Sequence, residues 1–298
     1  MNAAAPQGAP PADAEARSLA EPAAQTAAAP LAEPAAGTVE RWAWDYVLTT
    51  DMEHKLRPPP PPSSWEASPP ARRIARPGRP AGLTLSARAP KSPGPEAMRA
   101  PARRAQLVHT FLHHELQAAE LMAWALLAFP ETPPAFRRGL VRIARDELRH
   151  MEMYGAYLGS LGFRFGDFPV RDWFWERVPS VTSPAGFTAT MGMGLEGGNL
   201  DHAPRFAARF RAIGDEAGAT MQEQVCAEEV PHVRFAIRWF KRFVSDPDFA
   251  GWARHLPEPL SPLVMRGDPL NRQDRLRAGF SECFLDALAA WSAREPGF

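Results

Sequence analysis

Residues 143–154 read IARDELRHMEMY, and this stretch decides the fold that the sequence predicts. Its large apolar side chains recur every three or four residues, a spacing that places them on one face of an α-helix. Glu147 and His150 lie on the same face and interrupt it. A Glu-x-x-His pair on an apolar face indicates a partner, because a buried charge is costly unless it is paired or binds a metal ion.

Three further segments show the same apolar spacing with a polar interruption near the middle. One contains a second Glu-x-x-His pair, and the other two contain a lone glutamate. Four buried carboxylates facing one another would repel and would each lose hydration worth on the order of several kcal/mol, whereas two divalent cations would balance their charge. This residue set is the one that holds two metal ions in di-iron and di-manganese helix bundles. The predicted metal ligands are Glu115, Glu147, His150, Glu196, Glu229 and His232.

Turn and capping residues predict where the four helices begin and end. The predicted helices cover residues 102–129, 134–161, 183–214 and 215–244. Proline predicts a kink near Asp201–Pro204 in the third helix and a distortion at Pro231 in the fourth. In an antiparallel helix pair, facing residues lie equally far from the turn. The midpoints between the predicted ligands fall near residues 132 and 213, which are also the predicted turns.

Proline and alanine divide the chain into segments. Nineteen of the 33 prolines lie in residues 1–101, where they exclude a packed helical domain. We expect a disordered Ala/Pro-rich tail over 1–38, because it has too few large apolar side chains to offset the entropy of ordering. A short helix and a Pro/Arg-rich arm over 39–101 follow, then the bundle over 102–245 and a C-terminal helical extension over 246–298. One helix is predicted near 39–57 and another near 274–291.

Charge and cysteine content exclude several classes of protein. The 34 basic and 34 acidic side chains balance, so nucleic acid or a membrane surface is not expected as the main partner. Two cysteines are too few for a disulfide framework or a zinc knuckle. The sequence contains neither a membrane-spanning apolar run nor a secretory signal. We therefore expect a cytoplasmic protein with no membrane association.

The residues beside the predicted ligands indicate a supporting set of charges. Metal-binding histidines usually donate their second ring N–H to a carboxylate. Asp146 and Glu228 each come directly before a predicted ligand glutamate. We therefore predict that each contacts the histidine of the facing helix, Asp146 with His232 and Glu228 with His150. Arg149 pairs with one of these acids or with a solvent-exposed neighbour.

Two alternatives stay open in the bundle. Glu120 could replace Glu115 as the ligand of the first helix, although it lies on a different face. The run Met191-Gly-Met-Gly-Leu-Glu-Gly-Gly198 is unusually rich in glycine, which weakens a helix. These glycines either allow close helix packing or leave a substrate pocket beside the metals, and we predict that Gly194 and Gly197 line that pocket.

At these residues the sequence resembles the ferritin-like superfamily of di-iron carboxylate proteins. The form Asp146-Glu-x-Arg-His150 is similar to that of bacterial multicomponent monooxygenases. A closer likeness is to an uncharacterised bacterial family of ferritin-like proteins, which implies a distant relation to the tRNA isopentenyladenosine hydroxylase. The segments that carry it are His114–Leu121, Gly166–Pro169, Leu200–Pro204 and Asn271 through Phe280.

Fold, site and resemblance together predict an all-α, ferritin-like four-helix bundle that holds two iron ions, with manganese or a mixed pair as alternatives. The expected function is an oxygen-activating oxidoreductase, a hydroxylase or oxygenase, with a small-molecule or tRNA-like substrate and an external electron donor. Two alternatives are a non-catalytic or peroxide-scavenging iron protein, and an RNA-binding or scaffold module with structural metals.

Overall fold

Helices supply all of the regular secondary structure in residues 31–88 and 92–292, which are the residues that the computed structural model describes. Two isolated bridges are the only pairings between extended segments in this part of the chain. The prediction of an all-α protein is therefore confirmed. The part of the predicted tail over residues 1–30 lies outside the described residues.

The helices follow one another along the chain with short connections between the long ones. In order they are α1 (Val39–Leu48), α2 (Met52–Leu56), α3 (Pro101–Ala128), α4 (Pro134–Ser160), α5 (Pro184–Phe187), α6 (Gly197–Ala212), α7 (Glu216–Phe243), α8 (Phe249–Arg254), α9 (Arg272–Ala278) and α10 (Glu282–Ala290). A π-helical segment, Thr188–Glu196, joins α5 to α6. Short 3₁₀ turns occupy Ala97–Arg99, Val178–Ser180 and Pro262–Met265.

Four long helices form two hairpins. Helix α3 packs along α4, α6 packs along α7, and α4 contacts α7 between the hairpins. The turns lie where capping residues predicted them, since Asp215 accepts a hydrogen bond from the Gly218 N–H at the start of α7 and Gly214 adopts a left-handed φ of 78°. The largest core cluster lies around α3 and α4, and a second one lies between the π-helical segment, α7 and the C-terminal helices.

The third long helical segment contains an irregularity that the sequence did not predict. Helix α6 continues through Pro204 without a break, and the irregularity is the π-helical segment that ends at Glu196. Pro204 cannot donate to the Leu200 carbonyl, but Asn271 Nδ2 donates to that carbonyl instead, at 2.9 Å. Helix α7 likewise continues through Pro231 as a single helix, so the distortion predicted there does not break it.

Both flanking helices are split where one helix was predicted. Thr49–Asp51 separates α1 from α2, and the Asp51 side chain caps α2 by accepting from the His54 N–H. Gly279, with a left-handed φ of 109°, ends α9 before α10 begins. In each case a local capping residue outweighs the apolar spacing from which a continuous helix was predicted.

The segment between α2 and α3 lies against the protein through its arginines. Arg72 Nε donates to the Ala32 carbonyl at 2.7 Å, and its NH1 group donates to Glu66 at 2.7 Å. Residues from Ala32 onward belong to one compact unit, while the domain boundaries at 101/102 and 245/246 stay predictions. Within the described residues, each helix is too short or too polar for a membrane crossing.

Candidate metal centre

The six predicted ligands come from four helical segments and meet in the protein interior. Helix α3 supplies Glu115, α4 supplies Glu147 and His150, the π-helical segment ends on Glu196, and α7 supplies Glu229 and His232. Their exposed fractions range from 0% to 5%. The structure therefore brings together side chains that are far apart in sequence.

Glu147 and Glu229 lie between the two histidines. Glu147 Oε2 is 3.1 Å from His150 Nδ1, and Glu147 Oε1 is 3.0 Å from His232 Nδ1. Glu229 Oε1 is 3.7 Å from His150 Nδ1, and its Oε2 is 3.0 Å from His232 Nδ1. Glu115 Oε2 adds a contact of 3.8 Å on the His150 side.

A metal ion fits this set of donor atoms. Glu115, Glu147, His150 and Glu229 each offer a ligand atom, and these atoms lie within 4.8 Å of one another. Glu196 Oε1 is buried without a hydrogen-bond partner among the described residues. Buried carboxylate oxygens of this kind are costly unless a cation satisfies them. Carboxylate and imidazole ligands suit iron, manganese and zinc alike, so the identity of the metal does not follow from them.

The charges within the cluster shift one another's protonation. Burial, reinforced by the neighbouring Glu147 and Glu229, raises the pKa of Glu115 well above its ordinary value. The pKa of Glu196 is raised for the same reasons. Burial acts to lower the pKa of His150, but the neighbouring carboxylates of Glu115 and Glu147 outweigh it and raise this pKa to about 11. Protons thus balance part of the negative charge that a metal ion would balance.

A second layer of charges holds the outer nitrogens of the histidines. His150 Nε2 is 3.1 Å from Glu228 Oε2, and His232 Nε2 is 3.2 Å from Asp146 Oδ2. Arg149 donates to both acids, at 2.8 Å to Asp146 and 2.6 Å to Glu228. Because the outer nitrogens are held in this way, both Nδ1 atoms face the carboxylate cluster.

Glu120, the alternative ligand on α3, belongs to a separate ion-pair network. Lys55 Nζ and Arg79 NH1 both donate to Glu120 Oε1 at 2.6 Å, and Trp175 Nε1 donates to Oε2 at 2.7 Å. Its oxygens are therefore engaged away from the cluster. Sequence analysis did not identify Lys55, which is fully buried, because its charge lies 65 positions from that of Glu120 and no motif links them.

A cavity of about 320 Å³ opens beside the cluster. Glu115 and Glu196 contribute to its wall, together with Trp173 and Phe174 from the loop between α4 and α5. A cavity is therefore present beside the cluster, and a pocket at this place was one of the two alternatives for the glycine-rich run.

Gly194 and Gly197, which were predicted to line a pocket, have a different role. A Cβ atom at Gly194 would lie 2.7 Å from Met265 Sδ, and one at Gly197 would lie 3.5 Å from Arg275 NH1. Both glycines thus pack under the C-terminal segment instead of facing the 320 Å³ cavity, to which Gly198 contributes. Of the two, only Gly194 is so closely covered that a side chain would collide with its neighbour.

Fold and site define an all-helical protein with a buried glutamate–histidine cluster that could bind a metal ion. The chain belongs to the family described as protein of unknown function (DUF455), which matches residues 36–286. An uncharacterized protein of Haemophilus influenzae is 23% identical to it over 192 residues, which cover 61% of this chain and 66% of the relative. The chain thus spans slightly less than two thirds of that relative's length. No solved structure matches the chain.

Proposed function

We propose that this protein is a ferritin-like four-helix-bundle oxidoreductase that holds two iron ions and activates dioxygen, as a hydroxylase or oxygenase does. The six clustered residues would hold the ions. Glu147 and Glu229 lie between the two histidines, because each has one oxygen toward His150 and the other toward His232.

The remaining two glutamates favour a pair of ions over a single one. Glu115 approaches His150 at 3.8 Å, whereas Glu196 and His232 line one small cavity together. Each histidine would therefore have its own terminal glutamate. Four carboxylates carry enough negative charge for two divalent cations, as in other helix-bundle carboxylate sites.

The 320 Å³ cavity is the observation that carries the proposal of an enzyme. It reaches Glu115 and Glu196, so a substrate held there would lie next to the metals. Its volume falls in the range of small-molecule sites, about 300–1,000 Å³. Iron storage or structural metal binding requires no such space.

The residues around the centre have distinct tasks in this proposal. Two iron ions, when bound, supply a centre that can reduce dioxygen with electrons from both metals and from an external donor. Glu228 and Asp146 orient the histidines, and Arg149 holds these two acids in place. Trp173 and Phe174 give the cavity wall an apolar surface.

Anaerobic loading with Fe(II), followed by oxygen, tests the proposal. We expect about two iron ions per chain, an optical change on adding oxygen, and continued oxygen consumption only when a reductant is supplied. The Glu147→Ala variant should bind fewer ions and consume no oxygen. Oxidation of many more iron ions than the site holds would indicate storage, and a faster reaction with hydrogen peroxide than with oxygen would indicate a peroxide scavenger.

A further inference from the structure

Aromatic rings form much of the wall of the cavity beside the cluster. Phe111, Tyr154, Trp173 and Phe174 line it. His114 also lines it and stacks on Phe174, with ring centroids 5.0 Å apart and an angle of 22° between the planes. Walls of this kind favour a flat ring, which can stack or meet them edge to face.

The charged side chains of the cavity wall are two candidate metal ligands and one arginine that is already paired. Glu115 and Glu196 belong to the metal centre, and Arg171 donates to both oxygens of Glu176, at 3.0 and 2.6 Å. With the two carboxylates bound to metal and Arg171 paired, a charged ligand would lose its hydration on entering and would find no free counter-charge among these lining residues. The cavity therefore favours an uncharged ligand.

One buried imidazole of the cavity wall has an unused nitrogen. His113 is 1% exposed, and its Nε2 lies 3.1 Å from Asp172 Oδ1. Arg79 holds the same carboxylate through contacts of 2.9 and 3.0 Å. A carboxylate only accepts hydrogen bonds, so Nε2 carries the proton and donates it.

The second ring nitrogen, His113 Nδ1, is buried and has no hydrogen-bond partner among the described residues. In a neutral imidazole whose Nε2 is the donor, Nδ1 is an acceptor. Buried acceptors are normally satisfied, and those that are not mark a site where a ligand or water completes the bonding.

We propose that the cavity binds an uncharged, planar aromatic molecule with an N–H or O–H group that donates to His113 Nδ1. As the substrate class of the enzyme, this rests on the proposed function. Binding itself needs no metal, because the rings and the imidazole come from the protein alone.

Isothermal titration of the full-length, metal-free protein with indole and benzofuran tests the inference. The two molecules have nearly the same shape, but only indole carries an N–H donor. We expect indole to bind about tenfold more tightly, since a buried acceptor left unpaired is costly. The His113→Phe variant should bind the two equally.

Two further variants serve as controls. His109 is also buried on α3 and lies outside the lining of this cavity, so His109→Phe should keep the preference for indole. Ala118 lines the cavity, so Ala118→Leu should weaken the binding of both molecules. Thermal melting checks that each variant is folded, and the wild-type comparison stands even if His113→Phe is not.

Each outcome bears on one inference only. Equal affinity for indole and benzofuran in the wild type would overturn the role of His113, and no binding of either would overturn the aromatic site. A preference for indole in a protein that takes up no iron would support the binding site while rejecting the proposed function.

Discussion

At the scale of single residues, the pKa values of two buried glutamates on α3 shift in opposite directions. Burial and neighbouring carboxylates raise the pKa of Glu115 well above its ordinary value. Burial acts in the same direction on Glu120, but Arg79 and Lys55 outweigh it and lower its pKa. In the metal-free protein burial thus favours the neutral form of Glu115, whereas Glu120 is charged and paired.

Glutamine has the shape of a protonated glutamate, so the same substitution should have different effects at the two positions. Glu115→Gln should lower the metal content while changing the metal-free unfolding free energy by less than about 1 kcal/mol, since a neutral group replaces a neutral one. Glu120→Gln leaves two buried cations with too little negative charge and should cost about 3–5 kcal/mol, while the folded protein keeps its metals. Elemental analysis and denaturant unfolding measure the two effects. If Glu120→Gln lost metal and Glu115→Gln did not, Glu120 and not Glu115 would be the ligand from α3.

The protonation of the cluster predicts how metal binding depends on pH. His150, with a pKa raised to about 11, and His232, with a raised pKa, hold protons at neutral pH in the metal-free protein. Glu115 and Glu196 also hold protons, because their pKa values are raised. Metal ions bind the deprotonated forms, so binding should release about two to four protons and become tighter as pH rises. Titration calorimetry in buffers of different ionisation enthalpy counts these protons, and a count of zero would contradict the prediction.

The cluster could be predicted from sequence because its physical cause is visible there. A carboxylate on an apolar helix face has few other reasons to be buried, and two Glu-x-x-His pairs repeat the signal. Lys55 gave no such signal, since its partner Glu120 lies on another helix and a lysine near a helix end is usually solvated. His113 gave no such signal either, because its hydrogen bonding depends on Asp172 in a distant loop.

At the scale of elements, the π-helical segment lies very close to α7. A Cβ atom placed on Gly192 would lie 2.2 Å from the Cβ of Ala236. The glycine-rich run was predicted either to pack closely or to leave a pocket, and close packing describes Gly192 and Gly194. Sequence alone could not decide between these, because the covering residues, Ala236 and Met265, come from distant segments.

Gly192→Ala should therefore destabilise the protein by about 1–3 kcal/mol through overpacking, and Ala236→Gly should restore part of that loss by removing the opposing methyl group. Gly155→Ala on α4 is the matched control, since its nearest new neighbour would be Leu112 Cδ1 at 3.9 Å. That change should be neutral or slightly stabilising, because alanine favours a helix. Thermal unfolding of the single and double variants gives the comparison. A harmless Gly192→Ala would show that the two helices separate easily.

At the scale of the whole molecule, one buried network ties four parts of the chain together. Lys55 comes from α2, Arg79 from the segment before α3, Glu120 from α3 and Asp172 from the loop after α4. Two positive and two negative charges balance within it. The four long helices followed from sequence periodicity, whereas the attachment of the N-terminal segment depends on this network and could not be predicted.

Charge balance predicts that substitutions within the network are not additive. Lys55→Met leaves excess negative charge and Glu120→Gln leaves excess positive charge, so each alone should cost about 3–5 kcal/mol. The double variant restores charge balance around the Arg79–Asp172 pair. Its loss in the free energy of unfolding should therefore be smaller than the two single losses added together, by about 1–3 kcal/mol. Denaturant unfolding of the four proteins measures this coupling.

Arg272→Gln, whose partners Glu282 and Asp286 lie outside the network, should add independently to Glu120→Gln. Additive losses for Lys55 and Glu120 as well would show that hydrogen bonds to the Tyr46 and Val47 carbonyls, and not charge balance, account for the burial of this lysine.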